Sequence, residues 1–127
     1  MKTELSLNEI EEIKNNEYVV LSTANNNIPR SIIVMPSRIE TNRIIFSNIQ
    51  MNKTFENIKN NPNCFVNVYI KEKNDKQYKI NCVCDIYSNG DLFKEIKEFE
   101  ETNNLPEELK VNQIIVANIK NIEISEG

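Results

Sequence analysis

Three stretches combine reactive side chains with useful spacing. They are Ile28-Pro29-Arg30-Ser31-Ile32-Ile33-Val34-Met35, then Ile44-Ile45-Phe46-Ser47-Asn48, then Met51-Asn52-Lys53-Thr54-Phe55. The first two read as strands and the third opens a helix. A helix start leaves N–H groups unpaired and carries a partial positive charge, which suits a phosphate. Lys53 adds a mobile full charge, and Ser47 and Asn52 add neutral donors. Arg30 supplies a second cation if it points the same way. Each residue also has a plainer reading. Lys53 alone is a solvated helix-start lysine, and Arg30 has an equal claim to a surface ion pair with Glu40 or Glu17. Ser47 reads equally as a strand-terminating cap, Asn48 and Asn52 as part of a chain-wide asparagine bias, and Phe46, Phe55 and Phe65 as core.

The elements around these residues follow from periodicity. Residues 7–14 read as an amphipathic helix with Leu7, Ile10 and Ile13 on one face. Ser6 and Glu9 have the spacing of a capping box. Tyr18 to Thr23 is a strand, and Asn25-Asn26-Asn27 is a turn, because asparagine tolerates the left-handed conformation that hairpins require. A second strand runs from about Pro29 to Ile39, and a third from Arg43 to Ser47, giving an antiparallel meander. A helix bearing Met51, Phe55 and Ile58 ends at Asn60-Asn61-Pro62. Cys64 to Ile70 and Tyr78 to Tyr87 alternate as strands around a polar tip at Asn74-Asp75. Gly90-Asp91 opens a helix with Leu92, Phe93, Ile96 and Phe99, residues 103–110 form a loop around Pro106, and a last strand spans about Val111 to Ile124. Its apolar phase changes near Lys120 or Asn121, which predicts a bulge. The order is α-βββ-α-ββ-α-β. Six strands with only two glycines favour closure into a barrel, which removes sheet edges.

Composition narrows the chemistry. The 127 residues fit one domain spanning 1–127, and 39% hydrophobic content supports a packed core. A net charge of −4 with scattered basic residues argues against nucleic acid. No run of eighteen apolar residues is present and Met1-Lys2-Thr3-Glu4 leads into a polar segment, so neither a membrane span nor a signal peptide is expected and the cytoplasm is the default location. The three cysteines, Cys64, Cys82 and Cys84, do not form an even framework. Cys82 and Cys84 share one strand face and read as small buried residues, not as a metal pair. The chain has no histidine, which removes His-ligated metals, Ser-His and Cys-His nucleophile pairs and the usual general base.

In order and spacing these motifs resemble the pyridoxamine 5′-phosphate oxidase-like FMN-binding split barrels. That family has an arginine opening an apolar strand, a strand ending in aromatic-Ser/Thr-Asn, a Lys-bearing helix ending in Asn-Pro, and a later Gly-Asp/Glu-Leu-Phe helix start. The matching places here are Arg30, Phe46-Ser47-Asn48, Lys53 with Asn61-Pro62, and Gly90-Asp91-Leu92-Phe93. The resemblance implies a mainly β fold, a six-stranded antiparallel split β-barrel of Greek-key type with three short helices. It also implies FMN, or another flavin, held between the subunits of a homodimer. Lys53 and Arg30 would bind its phosphate, and Ser47 and Asn52 would add hydrogen bonds. Backbone of Ser31, Ile32, Ile33 and Val34 would run beside the ring, with Asn48 and Met51 bordering the loop. The chain departs from the classical oxidases at Met35, where they place a lysine, and at Met51-Asn52-Lys53, where they often have Ser-Arg-Lys. It also lacks their C-terminal pyridoxal-phosphate segment. A small-molecule oxidoreductase of flavin reductase type is therefore expected in place of a vitamin B6 oxidase, with a non-catalytic flavin carrier or sensor as the alternative. No catalytic side chain is identified.

Overall fold

The computed structural model describes residues 2–70, 72–73, 75–103 and 109–126. The elements are α1 (Leu7–Asn16), β1 (Val19–Asn25), β2 (Ile28–Val34), β3 (Arg38–Ile39), β4 (Arg43–Ser47), α2 (Asn52–Asn60), β5 (Asn63–Ile70), β6 (Lys76–Tyr87), α3 (Asp91–Asn103) and β7 (Ile114–Ser125). The loop expected around Pro106 and the tip residue Asn74 lie outside the described residues.

The strand order is β2-β1-β5-β6-β7-β4-β3, with every pairing antiparallel. The single strand expected from Pro29 to Ile39 is two strands, so there are seven in place of six. Pro36 has no N–H to give to a ladder and interrupts pairing there. Immediately after it, the Ser37 N–H donates to Ile45 C=O at 2.8 Å and pairing with β4 begins. The expected meander is corrected in the same way, since β2 pairs with β1 alone. The order also dictates shape. In a flat seven-stranded sheet the edge strands would lie about 29 Å apart at roughly 4.8 Å per strand. The chain from Val34 to Arg38 reaches at most about 14 Å. The sheet must curl until β2 and β3 approach one another, leaving an antiparallel barrel split between them.

Burial explains which strands alternate. Cys64, Val66, Val68 and Ile70 of β5 point inwards, as do Tyr78, Ile80, Cys82 and Cys84 of β6. In β4 and the start of β7 the run is continuous, because both faces are covered. Ile44, Phe46, Ile115 and Ala117 join the barrel interior, while Ile45, Ile114 and Val116 pack with Ile96 of α3 and Val111 outside it. The expected bulge falls at Lys120, since Asn81 pairs with Asn121 but Cys82 pairs with Ile119. Asn26 and Asn27 sit at φ 52° and 64° between the paired Asn25 and Ile28. A two-residue hairpin turn requires this left-handed pair.

The capping box forms at α1, with the Ser6 N–H donating to Glu9 Oε1 at 2.8 Å and the Glu9 N–H to Ser6 Oγ at 3.1 Å. Ile10 and Ile13 are buried, but Leu7 is 76% exposed and Leu5 takes the expected inner place. Glu12 ties α1 to the barrel, accepting from Tyr78 Oη at 2.6 Å and from Lys76 Nζ at 2.8 Å. These two donors, Lys76 first, hold the Glu12 carboxyl below the usual range. The three cysteines are free and buried, with Cys64 Sγ 3.0 Å from Cys84 Sγ. Contact with Cys82 raises the Cys64 thiol pKa, and contact with Cys64, followed by burial, raises that of Cys84. Among the described residues no helix is long and apolar enough to cross a membrane.

Truncating a doubly covered strand should therefore cost far more than truncating the outer helix face. Ile45→Ala is expected to destabilise by about 2–5 kcal/mol and Leu7→Ala by no more than about 0.5 kcal/mol in urea unfolding. A carboxylate with a depressed folded pKa contributes stability above its unfolded value, about 4.3, and loses that contribution as pH falls through the folded value. Wild type should lose stability between about pH 5 and pH 3 more steeply than Glu12→Gln, measured as the denaturation midpoint across that window.

Candidate functional site

The site is built where β4 hands the chain to α2. Asn48 shapes that loop. Its backbone N–H donates to Gln113 C=O at 2.9 Å, its Nδ2 donates to Gln113 Oε1 at 2.8 Å, and its Oδ1 accepts from the Met51 N–H at 3.2 Å. Gln50 takes a left-handed φ of 58° to turn the chain into the helix. Met51 occupies the N-cap and makes no side-chain cap bond, and the first turn contains no acidic residue. The first intrahelical bond runs from the Phe55 N–H to Met51 C=O. Among the described residues, no side chain answers the amides of Asn52, Lys53 and Thr54. They are open donors with the helix dipole behind them.

The inner face of α2 fixes its position. Thr54, Asn57 and Ile58 are buried, and Asn57 Nδ2 donates to Thr23 Oγ1 of β1 at 3.1 Å. Thr23 is paired with Arg30 of β2, and directly opposed residues share a sheet face. Arg30 therefore projects on the side where α2 lies. Glu40 is held by Arg43 at 2.8 Å and Arg38 at 3.6 Å, and no carboxylate lies within ion-pairing reach of Arg30 or Lys53 among the described residues. The ion pair of Arg30 with Glu40 or Glu17 that the sequence offers as its plainer reading does not form among the described residues.

Between β2 and the start of α2 runs a groove of about 480 Å³. It gathers seven of the ten residues expected from sequence: Arg30, Ile32, Ile33, Val34, Met51, Asn52 and Lys53. Ser31, expected to contribute backbone, is not among the lining residues, and its Oγ bonds Ser22 Oγ at 2.8 Å across the hairpin. Ser47 is buried and bonds Ser37 Oγ at 2.7 Å, which ties the end of β4 to the junction of β2 and β3. Asn48 organises the loop behind the groove and does not line it. Sequence reasoning missed Ile49, Gln50 and Thr54, which complete the lining. Thr54 is signalled by its place in the first helical turn, whereas the other two carry no side-chain signal.

The groove wall is apolar along Ile32, Val34 and Met51 and cationic at Arg30 and Lys53, and among the described residues it contains no carboxylate. A larger cavity of about 730 Å³ lies at the end of α1, bordered by Glu11, Glu12, Glu17 and Glu72. Among the described residues its one lysine, Lys73, is already 4.0 Å from Glu12, so the four glutamates there disfavour an anion. Of these two, the smaller groove has the chemistry that suits a phosphorylated ligand with a flat apolar body.

Comparisons with known proteins agree with this architecture. No curated protein matches the chain in sequence. Among solved structures, HupZ of Group A Streptococcus superposes with a TM-score of 0.78 at 13% identity, covering 97% of this chain and 96% of that one. An FMN-binding protein from Syntrophomonas wolfei subsp. wolfei gives 0.73 at 20% identity, covering 95% and 86%. General Stress Protein 26 from Bacillus anthracis str. Sterne gives 0.65 at 21% identity, covering 90% and 91%. At these identities the likeness is one of fold. The family model described as pyridoxamine 5′-phosphate oxidase matches residues 7–124, nearly the whole length. With the split barrel and the order of its motifs, that match establishes that the chain belongs to the pyridoxamine 5′-phosphate oxidase family.

Proposed function

We propose that this chain, as one domain over residues 1–127, is an FMN-binding flavoprotein that acts in the cytoplasm as a small-molecule oxidoreductase of flavin reductase type. The observation that carries this reading is the convergence of two unpaired cations and three open helix amides on one groove with an apolar wall. The residues present fit a phosphorylated flavin. Lys53, Arg30 and the amides of residues 52–54 would hold the phosphate. Asn52 would add a hydrogen bond at its side. Ile32, Val34 and Met51 would shield the ring from water. As an edge strand, β2 has backbone N–H and C=O groups free to meet the polar rim of the ring. Ser47, given a hydrogen bond to the phosphate by the resemblance, is bonded to Ser37, and Asn48, given a place bordering the loop, is bonded to Gln113; both would hold the β4–α2 loop beside the ligand.

When bound, the flavin supplies the hydride or electron transfer. The chain's own residues bind and orient it. Among the described residues, Arg30 and Lys53 are the only ionisable side chains in the groove lining, which offers no carboxylate or thiol there to relay a proton. That same lining favours one second reading, a flavin carrier or sensor that binds without turnover.

We also propose a homodimer with the flavin at its interface. Ile33 and Met35, at the end of the open β2 edge, are 75% and 53% exposed. A second copy would cover them. Wild type should elute at twice the chain mass, and Ile33→Glu should shift it to monomer. A monomeric wild type would remove the dimer from this reading.

Titration of the apo-protein with FMN, followed by quenching of flavin fluorescence, tests the cofactor. Arg30→Ala and Lys53→Ala should each weaken Kd by roughly 10- to 100-fold, in line with about 1.5–3 kcal/mol for a charged hydrogen bond. Wild-type affinity in both variants would overturn the assignment. Bleaching of the bound flavin by NADH or NADPH would separate reductase from carrier.

A further inference from the structure

Asn89 and Gly90 form the bend between β6 and α3, and with Ser88 they are exposed to solvent. The chain has two glycines, and Asn89 is the one asparagine that a glycine follows. Gly90 sits at φ 98°, a left-handed conformation that suits glycine. No atom lies within 4 Å of where a Cβ would stand. Its carbonyl is fixed, accepting the Lys94 N–H at 3.0 Å in the first turn of α3. Its own N–H and the Asn89 carboxamide have no hydrogen-bond partner among the described residues.

Other asparagines are followed by amides that are engaged. The N–H groups of Glu17, Ile49 and Asn61 donate to the carbonyls of Lys14, Ser47 and Asn57 at 3.1, 3.0 and 2.8 Å. Ile28, which follows the turn residue Asn27, is paired with Asn25 in the β1–β2 ladder and carries a stiff β-branched side chain beside its nitrogen.

A free, uncrowded amide next to an exposed carboxamide is what an intramolecular rearrangement needs. The Gly90 nitrogen attacks Asn89 Cγ and gives its proton to water. The new C–N bond closes a five-membered imide, the Cγ–Nδ2 bond breaks, and ammonia leaves with a proton taken from water. Water then opens the ring. Opening at Cγ yields aspartate, and opening at the main-chain carbonyl yields isoaspartate, which lengthens the backbone by one carbon. One water is consumed, one ammonia is released, and nothing is oxidised or reduced.

We propose that Asn89–Gly90 is a self-modifying site, at which the folded chain converts asparagine to aspartate and isoaspartate and so records its age as a negative charge before α3. Either carboxylate stands at the positive end of that helix, where the dipole favours it. The isoaspartyl link also loosens the tether of the helix whose Ile96 packs with Ile45, Ile114 and Val116. The proposal is independent of the flavin reading.

The full chain is held, folded and in guanidinium chloride, in the same mildly alkaline buffer, and samples are digested and mapped by mass spectrometry. The Asn89 peptide should split into aspartyl and isoaspartyl forms. Its rate in the folded chain should be less than about five-fold below that in denaturant, because no local opening has to precede the attack. The asparagines of the helices and strands should stay intact in the folded chain over the same period. Asn89→Gln, which can close only a larger ring, should abolish the acidic species in isoelectric focusing, with a circular dichroism melt showing that the variant is folded. A folded chain in which Asn89 stays intact, or converts more than about five-fold slower than in denaturant, would overturn the proposal. Equal conversion at another asparagine of the folded chain, or an acidic species that persists in Asn89→Gln, would overturn it too.

Discussion

Met35, Pro36 and Ser37 join two strands that occupy opposite ends of the sheet order. A span of at most about 14 Å must bridge what would be about 29 Å in a flat sheet, and that mismatch bends the molecule. Curling creates the interior that Leu21, Phe46, Val66 and Tyr78 fill. It also leaves β2 as an edge strand above the start of α2, where the Thr23–Asn57 hydrogen bond locks the helix against β1. The groove is thus a by-product of closure. Its walls are β2 and the start of α2, and its cations come from those two elements.

Much of this was legible because local chemistry and tertiary burial agree. Alternation in β5 and β6, the paired left-handed asparagines, the Ser6–Glu9 box and the phase change at Lys120 each report a constraint that acts over a few residues. The errors arise where the decisive contact is distant. Residues 29–39 look like one strand because the apolar residues continue past the break, and only the pairing of Ser37 with Ile45 shows that a new strand has begun. Leu7 fits the helical stripe by spacing, yet the chain before α1 folds back so that Leu5 fills the inner position.

The candidate site divides along the same line. Arg30 and Lys53 are visible in sequence because a cation at a strand start and one at a helix start are both local features. Ser31, Ser47 and Asn48 have the right chemical types, but each is held by a residue the sequence does not place beside it: Ser22, Ser37 and Gln113. The carboxamides of Asn25, Asn26 and Asn57 are the converse case. In a chain rich in asparagine none of them stands out, and only the folding of the β1–β2 hairpin towards α2 gives three of them a common cavity.

The three cysteines have a further consequence. Cys64, Cys82 and Cys84 face the barrel interior from neighbouring strands, 6%, 3% and 6% exposed, and the thiols of Cys64 and Cys84 are held protonated by their surroundings. An alkylating reagent can reach them only when β5 and β6 part, so their labelling rate is a clock for the breathing of the barrel wall. The molecule contains its own stopwatch, wound into the side of the barrel away from the split, and any ligand that clamps the split shut should slow it.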